Sequence, residues 1–226
     1  MGEFKYALHT KNTILMQNFS EKDLQKLFSK ERLNAYHNAK EHFDNFYFVG
    51  EISPKIGLLE VIIRNKIDSI LSQINTSWIY AHKDLLSVDM LKLPKHQIIS
   101  KQNLGFWVKI ADFYKIHSQI FDAKFIASLD FSSYYALNKS KIKHFKLRDT
   151  HKARAVLYLI RIIRNRAFHF ENLYKLNKNY PRLNTKITLG ANALYIAIAP
   201  KKIIAFLDDI LQGFDERLLG WGTRTP

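Results

Sequence analysis

The chain has 226 residues, 47% of them hydrophobic, with 8 glycines, 5 prolines, no cysteine and a net charge of +15. That length supports one sizeable core, so a single domain over residues 1–219 is expected, with a disordered tail from Gly220 to Pro226. The lack of cysteine excludes disulfides and thiolate metal sites, sparse glycine and proline favour helices over a turn-rich sandwich, and no apolar run approaches the ~20 residues of a membrane span.

Ser20-Glu-Lys-Asp23 reads as a capping box with Asp in place of Glu, opening a helix near residue 21 with Leu24, Leu27 and Phe28 on its apolar face. A second helix is expected from Glu31 to about Phe46, with Leu33, Tyr36 and Phe43 inward. Ser53-Pro54 pairs an N-cap with proline at the first helical position, and that helix should reach Ile74, where Asn75-Thr-Ser77 breaks it. Residues 78–103 suggest short helices, with Pro94 as a break. Leu104 to Phe121 reads as a buried helix, and Phe131 to Phe145 as irregular and basic. Asp149 or Thr150 should cap a long helix to about Leu176, and Asn177 to Asn184 should be a loop containing Pro181. Thr185–Leu189 and Ala193–Ile198 flank Gly190-Ala-Asn192 as a small β-hairpin with a three-residue turn, and Pro200 opens a final helix through Leu211. The expected fold class is therefore all-α, with a small hairpin before the C-terminal helix.

The positive charge is concentrated. From Leu137 to Lys186 there are fourteen Lys and Arg residues, opposed only by Asp149 and Glu171. Such a block reads either as a polyanion footprint or as a solvated basic face. At its centre lies Arg161-Ile-Ile-Arg-Asn-Arg-Ala-Phe-His-Phe-Glu171, in which Arg164, Asn165 and His169 form an Arg-Asn-x-x-x-His pattern. Histidine exchanges protons near neutral pH, and the forked donors of arginine match phosphate geometry. Cleaving RNA through its own 2′-hydroxyl needs both a proton carrier and a stabiliser of phosphorane charge. At ~100° per residue, Val156, Ile160, Ile163, Ala167, Phe170 and Tyr174 fall on one core stripe. Arg154, Arg161, Asn165 and Asn172 lie opposite, with His169 at the edge. Leu157, Ile162 and Phe168 border the polar stripe and would suit a partner surface, which predicts a homodimer about a two-fold axis.

Leu159 to Glu171 resembles the signature of Abi-like (abortive infection) proteins of the HEPN superfamily, whose hallmark is Arg-x(4–6)-His. Arg164 matches the Arg, Asn165 the polar residue after it, His169 the His, and Glu171 an acidic residue common just after it. Leu59-Glu-Val-Ile-Ile-Arg-Asn65 resembles the family's Leu-Glu-x-x-Leu-Arg-Asn helix, and Leu104-Gly-Phe-Trp-Val108 its central Gly-Phe-Trp segment. The resemblance implies a HEPN-type helical bundle that dimerises with motif helices facing each other. It also implies a metal-independent endoribonuclease of phage defence or toxin type. Under that reading Arg164 and His169 are catalytic, with Asn165, Glu171, Glu60, Arg64 and Asn65 in support. Arg154, Arg161, Arg166, Lys141, Lys143, Lys146 and Lys175 form the RNA-binding surface. An antitoxin or a regulatory non-coding RNA is a further candidate partner. Phe168 stands where many members carry Ala. A non-catalytic RNA-binding scaffold or regulator, and a pure interaction protein, stand beside the nuclease as alternatives.

Other constellations point elsewhere. Glu60, Arg64 and Asp68 have the spacing of an intrahelical ion-pair ladder, or else bring Arg64 to the site as a second phosphate clamp. His37 and Glu41-His42 lack zincin spacing and read as solvent-facing, while Phe106, Trp107, Phe113 and Tyr114 read as core. No Gly-rich phosphate loop or paired-carboxylate metal site occurs, so no cofactor is expected. No N-terminal segment has the layout of a secretion signal, and Tyr6 stands where a myristoylation signal after Met1-Gly2 wants Ser or Thr. The expected setting is cytoplasmic, without a membrane.

Overall fold

A computed structural model describes residues 19–145 and 147–223. Met1, Gly2, Tyr6, Lys146 and the end of the expected tail, from Arg224, lie outside the described residues.

The first helix, α1 (Glu21–Phe28), opens as its sequence predicts. Ser20 Oγ accepts the Asp23 N–H at 3.2 Å and the Asp23 carboxylate accepts the Ser20 N–H at 3.1 Å. Of its expected apolar face Leu24 is buried, but Leu27 is exposed. The next helix stops early. After α2 (Lys30–Leu33) the chain turns, and Asn38 caps a new start by accepting the Glu41 N–H at 2.9 Å. From there α3 (Ala39–Ile74) runs 36 residues, straight through Ser53-Pro54. Ser53 caps nothing; its hydroxyl donates to Val49 O at 2.6 Å. An interior proline removes one helical hydrogen bond at a cost of about 3 kcal/mol. Here that cost is offset by an unbroken buried stripe on both sides of it: Val49, Ile52, Ile56, Leu59, Ile63, Ile67 and Leu71. Asn75 ends the helix where expected.

A 3₁₀ segment (Trp78–Leu85), α4 (Val88–Leu91) and α5 (Lys95–Lys101) follow, and Pro94 sits at the N-cap of α5. The expected helix to Phe121 is two pieces, α6 (Leu104–Tyr114) and α7 (His117–Ile120), because Lys115 turns left-handed at φ 55°. Phe106 and Trp107 are buried as expected, whereas Phe113 is 69% exposed. Then come α8 (Ala123–Ser128) and, inside the stretch read as irregular, α9 (Leu137–Ile142). The motif helix α10 covers Asp149–Phe168, with Arg148 at its N-cap and its end well short of Leu176.

Two hairpins follow. In place of the expected loop, β1 (Leu176–Asn177) pairs with β2 (Tyr180–Pro181) across Lys178 and Asn179, both at positive φ. The expected hairpin is β3 (Asn184–Leu189) with β4 (Asn192–Ala197). Its turn has two residues, since Leu189 pairs with Asn192, and Gly190 supplies the positive φ of 63° at the first turn position. The last helix, α11 (Ile203–Phe214), leads into a 3₁₀ segment that runs to Thr223, past the expected start of the tail.

The protein is thus mostly helical, with small hairpins before the C-terminal helix. The two long helices α3 and α10 pack together, α6 and α7 lie against both, and α10 is also covered by α8 and β3. That enclosure explains why Leu157, expected at an exposed border, is fully buried together with Val156, Ile160, Ile163 and Ala167. Among the described residues no helix is long and apolar enough to cross a membrane.

Candidate functional site at the end of the motif helix

The motif residues gather where α10 stops. The Phe170 N–H donates to Ala167 O at 2.9 Å and the Glu171 N–H to Arg166 O at 2.8 Å. That pair of bonds is a Schellman ending, with His169 as the C-cap and Phe170 in the left-handed position usually held by glycine. Phe170 has φ 50°, a conformation that costs a side-chain-bearing residue about 1–2 kcal/mol. Phe170 and Tyr174 therefore leave the predicted core stripe, and Asn172 is buried rather than outward.

Arg164 sits one turn before this ending. Its Nε donates to Glu60 Oε2 of α3 at 3.2 Å, and its guanidinium carbon lies 5.2 Å from the centre of the Phe168 ring. Among the described residues the terminal nitrogens of Arg164 have no other partner, so they are available to an anion. Glu60 thus pairs across to α10 and not along its own helix with Arg64. The expected ladder does not form, and Asp68 likewise pairs away from it, with Lys95 at 2.8 Å and the Trp78 indole at 2.8 Å. Arg64 donates to Ser100 O at 3.3 Å, its Nε is buried without an acceptor among the described residues, and Asn65 is exposed. The arrangement brings Glu60 to Arg164, while among the described residues no hydrogen bond or ion pair joins Arg64 or Asn65 to the motif.

Asn165 and His169 are exposed, linked through the backbone by the His169 N–H donating to Asn165 O at 3.1 Å. Among the described residues no hydrogen bond or ion pair engages the His169 ring. The backbone of the helix end therefore sets where its Cα–Cβ bond points, and no hydrogen bond among the described residues holds the ring beyond that.

The expected RNA-contacting cations fall into two groups. Arg166 is tied to Glu171 at 2.5 Å, Glu171 also accepts from Arg182 at 2.9 Å, and among the described residues the buried Arg166 Nε has no acceptor. Burial first, then the Arg182 charge, lowers the Arg166 pKa. Arg166 and Glu171 thus form an internal clamp on the helix end, not an open contact surface. Arg154 pairs with Asp112 at 3.0 Å, which also holds the Tyr158 hydroxyl and, at 2.9 Å, His117 Nε2. The other group is open. Arg161 lies 4.6 Å from the Tyr158 ring centre and Lys141 Nζ lies 4.1 Å from that of Tyr180, while Lys143 and Lys175 are exposed.

Sequence reasoning missed the residues that grip this helix end from the N-terminal segment: Arg32, Tyr36 and Asn45. It also misplaced His42, which is fully buried and not solvent-facing. Among the described residues no three His, Asp or Glu side chains converge as a metal site requires. The exposed His169 imidazole can move a proton, and the Arg164 guanidinium, five residues earlier on the same helix and oriented by Glu60, can hold a phosphate. Compared with known proteins, the chain matches no protein-family model, no curated protein and no solved structure.

Proposed function

We propose that this chain is a HEPN-type, Abi-like endoribonuclease of phage defence or toxin type. It would act as a homodimer in the cytoplasm and cleave RNA by attack of the 2′-hydroxyl without a metal. The observation that carries the reading is the cross-helix pair of Arg164 with Glu60 at 3.2 Å, on the same helix end that carries the exposed His169. Two of the three family-like segments meet in that pair, and the third, Leu104–Val108, forms the first turn of α6 against the same two helices.

In the reaction the 2′-oxygen bonds to phosphorus, the bond to the 5′-oxygen breaks, and the phosphorane oxygens carry the developing charge. Arg164 holds the phosphate through its terminal nitrogens. His169 takes the 2′-hydroxyl proton or gives one to the leaving 5′-oxygen, and the second His169 of a dimer serves the other transfer. Asn165 positions the phosphate. Phe168, 40% exposed, and half-buried Ile162 remain as apolar contacts for the dimer seam. Lys141, Lys143, Lys175 and Arg161 receive the RNA backbone.

Purified wild type, Arg164→Ala and His169→Ala, tested on mixed RNA in EDTA, decide the matter. Each variant should lose at least ~100-fold in cleavage. Products should end in 2′,3′-cyclic phosphate or its hydrolysed form, and an all-DNA analogue should stay intact. Activity lost in EDTA and restored by magnesium would overturn the mechanism. The exposed Lys143 and Lys175 serve equally a second reading, a non-catalytic RNA-binding scaffold. On that reading wild type and His169→Ala bind RNA alike and neither cleaves it.

A further inference from the structure

Each residue from Phe170 to Leu173 is tied to the segment between Arg32 and Phe46. Arg32 Nη2 donates to Phe170 O at 2.7 Å, and the Tyr36 hydroxyl donates to the same oxygen at 3.2 Å. Asn45, fully buried on α3, donates from Nδ2 to Glu171 O at 3.1 Å and to the Tyr36 oxygen at 3.2 Å. Its Oδ1 accepts the Leu173 N–H at 2.9 Å. Asn172 reaches back to Ala35 O at 2.8 Å and Glu41 Oε1 at 3.0 Å. The Phe46 ring stacks on Phe170 with centres 4.9 Å apart and planes at 29°.

Arg32 is itself held. Its Nε donates to His42 Nε2 at 3.1 Å, and His42 sits among the ring edges of Phe28, Tyr36, Phe43 and Phe46. Burial first, then the Arg32 charge, lowers the His42 pKa, which keeps the ring a neutral acceptor. The guanidinium fork thus joins a buried imidazole to a backbone carbonyl, a geometry that a lysine ammonium does not reproduce.

We propose that Arg32 and Asn45 are positioning residues for His169: by locking residues 170–173 they fix the helix end from which the imidazole projects. Two observations favour this over simple packing. The turn they hold contains a phenylalanine in a left-handed conformation, which a free helix end would abandon. The turn sets where the Cα–Cβ bond of His169, the C-cap of α10, points, and no ring partner among the described residues holds the imidazole in its place. A misplacement of about 1 Å at a reacting group can lower a rate by ~100-fold. The inference rests on reading His169 as the reacting group.

The test uses the whole chain with Arg32→Ala, Asn45→Ala and Arg32→Lys. Amide hydrogen exchange and the His169 ring resonance are followed by NMR, and RNA cleavage is measured in parallel. In Arg32→Ala and Asn45→Ala, exchange at Phe170, Glu171 and Leu173 should speed up about tenfold or more, while Ile160 and Ile163 in the body of α10 stay as in wild type. The His169 resonance should shift and broaden, and kcat should fall about tenfold with KM within about twofold. Arg32→Lys should give intermediate values, and it decides the matter if the alanine variant does not fold. Unchanged exchange and an unchanged His169 resonance would overturn the proposal. So would faster exchange throughout α10 with kcat and KM altered together, since that marks a general loss of structure. If wild type proves unable to cut RNA, the nuclease reading fails, and the exchange and resonance measurements still decide the positioning.

Discussion

Replacing Glu60 with alanine removes the one carboxylate that meets Arg164 among the described residues, and the structure fixes the scale of the result. The pair lies at 3.2 Å, with the Glu60 and Arg164 side chains 16% and 26% exposed. At an effective dielectric near 20 the gross attraction is about 5 kcal/mol. Desolvation of both ions and ordering of two flexible side chains offset most of it. Fully exposed pairs contribute roughly 0.2–1 kcal/mol, and breaking a buried one costs about 3–5 kcal/mol, so this half-buried pair should be worth about 1–2 kcal/mol. At ~2–4 °C per kcal/mol, Glu60→Ala should lower the melting temperature by about 2–8 °C. Urea unfolding of Glu60→Ala, Arg164→Ala and the double variant forms a closed cycle, and the double variant should be about 1 kcal/mol more stable than the sum of the singles predicts. Cleavage by Glu60→Ala should drop, but less than in Arg164→Ala, because the guanidinium remains and only its aim is lost. A coupling below about 0.3 kcal/mol would refute the claim that Glu60 holds Arg164 in place.

His42 sets a pH dependence of stability. Its folded pKa lies below the ordinary value of 6.5, so the unfolded chain takes up the proton first. The contribution is complete above that ordinary value and is lost as pH falls from it toward the lower folded one. His117 and His151 are shifted the same way, chiefly by burial, so the urea midpoint should decline from pH 7 to pH 5, and His42→Gln should flatten part of that decline. An identical decline in the variant would remove His42 from the account. Phe170→Gly relieves the left-handed backbone while Phe170→Ala keeps it, and both lose the stack on Phe46, so the glycine variant should be more stable by about 1 kcal/mol; equal stabilities would show that no strain is stored there. For RNA binding, Lys143→Ala with Lys175→Ala should weaken affinity and flatten the salt slope by about 0.7 per lost contact on single strands. An unchanged slope would locate the RNA elsewhere.

Local chemistry made several elements legible in the sequence. The Ser20–Asp23 capping box, the stop at Asn75, the hairpin around Gly190 and the inward stripe Val156, Ile160, Ile163 and Ala167 all depend on residues within a turn or two of each other. Elements decided by distant partners were not legible. Pro54 looks like a helix start, and only the buried stripe of Ile52, Ile56 and Leu59 across it makes α3 continuous. The end of α10 carries no glycine, because a phenylalanine occupies the left-handed position with help from Arg32, 138 residues away. Leu157 has the angle of a border residue on an isolated helix, but β3 and the neighbouring helices enclose α10. At the site, the sequence supplied Arg164, Asn165 and His169, but not the choice of Glu60 for Arg164 over its own helical neighbour Arg64, which requires two helices to meet.

The long helix α3 carries Asn45 and Glu60 fifteen residues apart on one rod, so their separation is about 22 Å along the axis and their relative angle is locked by the helical repeat. One reaches the turn after His169, the other reaches Arg164. Gaining or losing a single residue between them would rotate one against the other by ~100°, and no loop lies between them to absorb the error. A four-residue change leaves only ~40° to correct, at the expense of about 6 Å of travel. In descendants of this chain the interval from Asn45 to Glu60 should therefore keep its length even where its residues change.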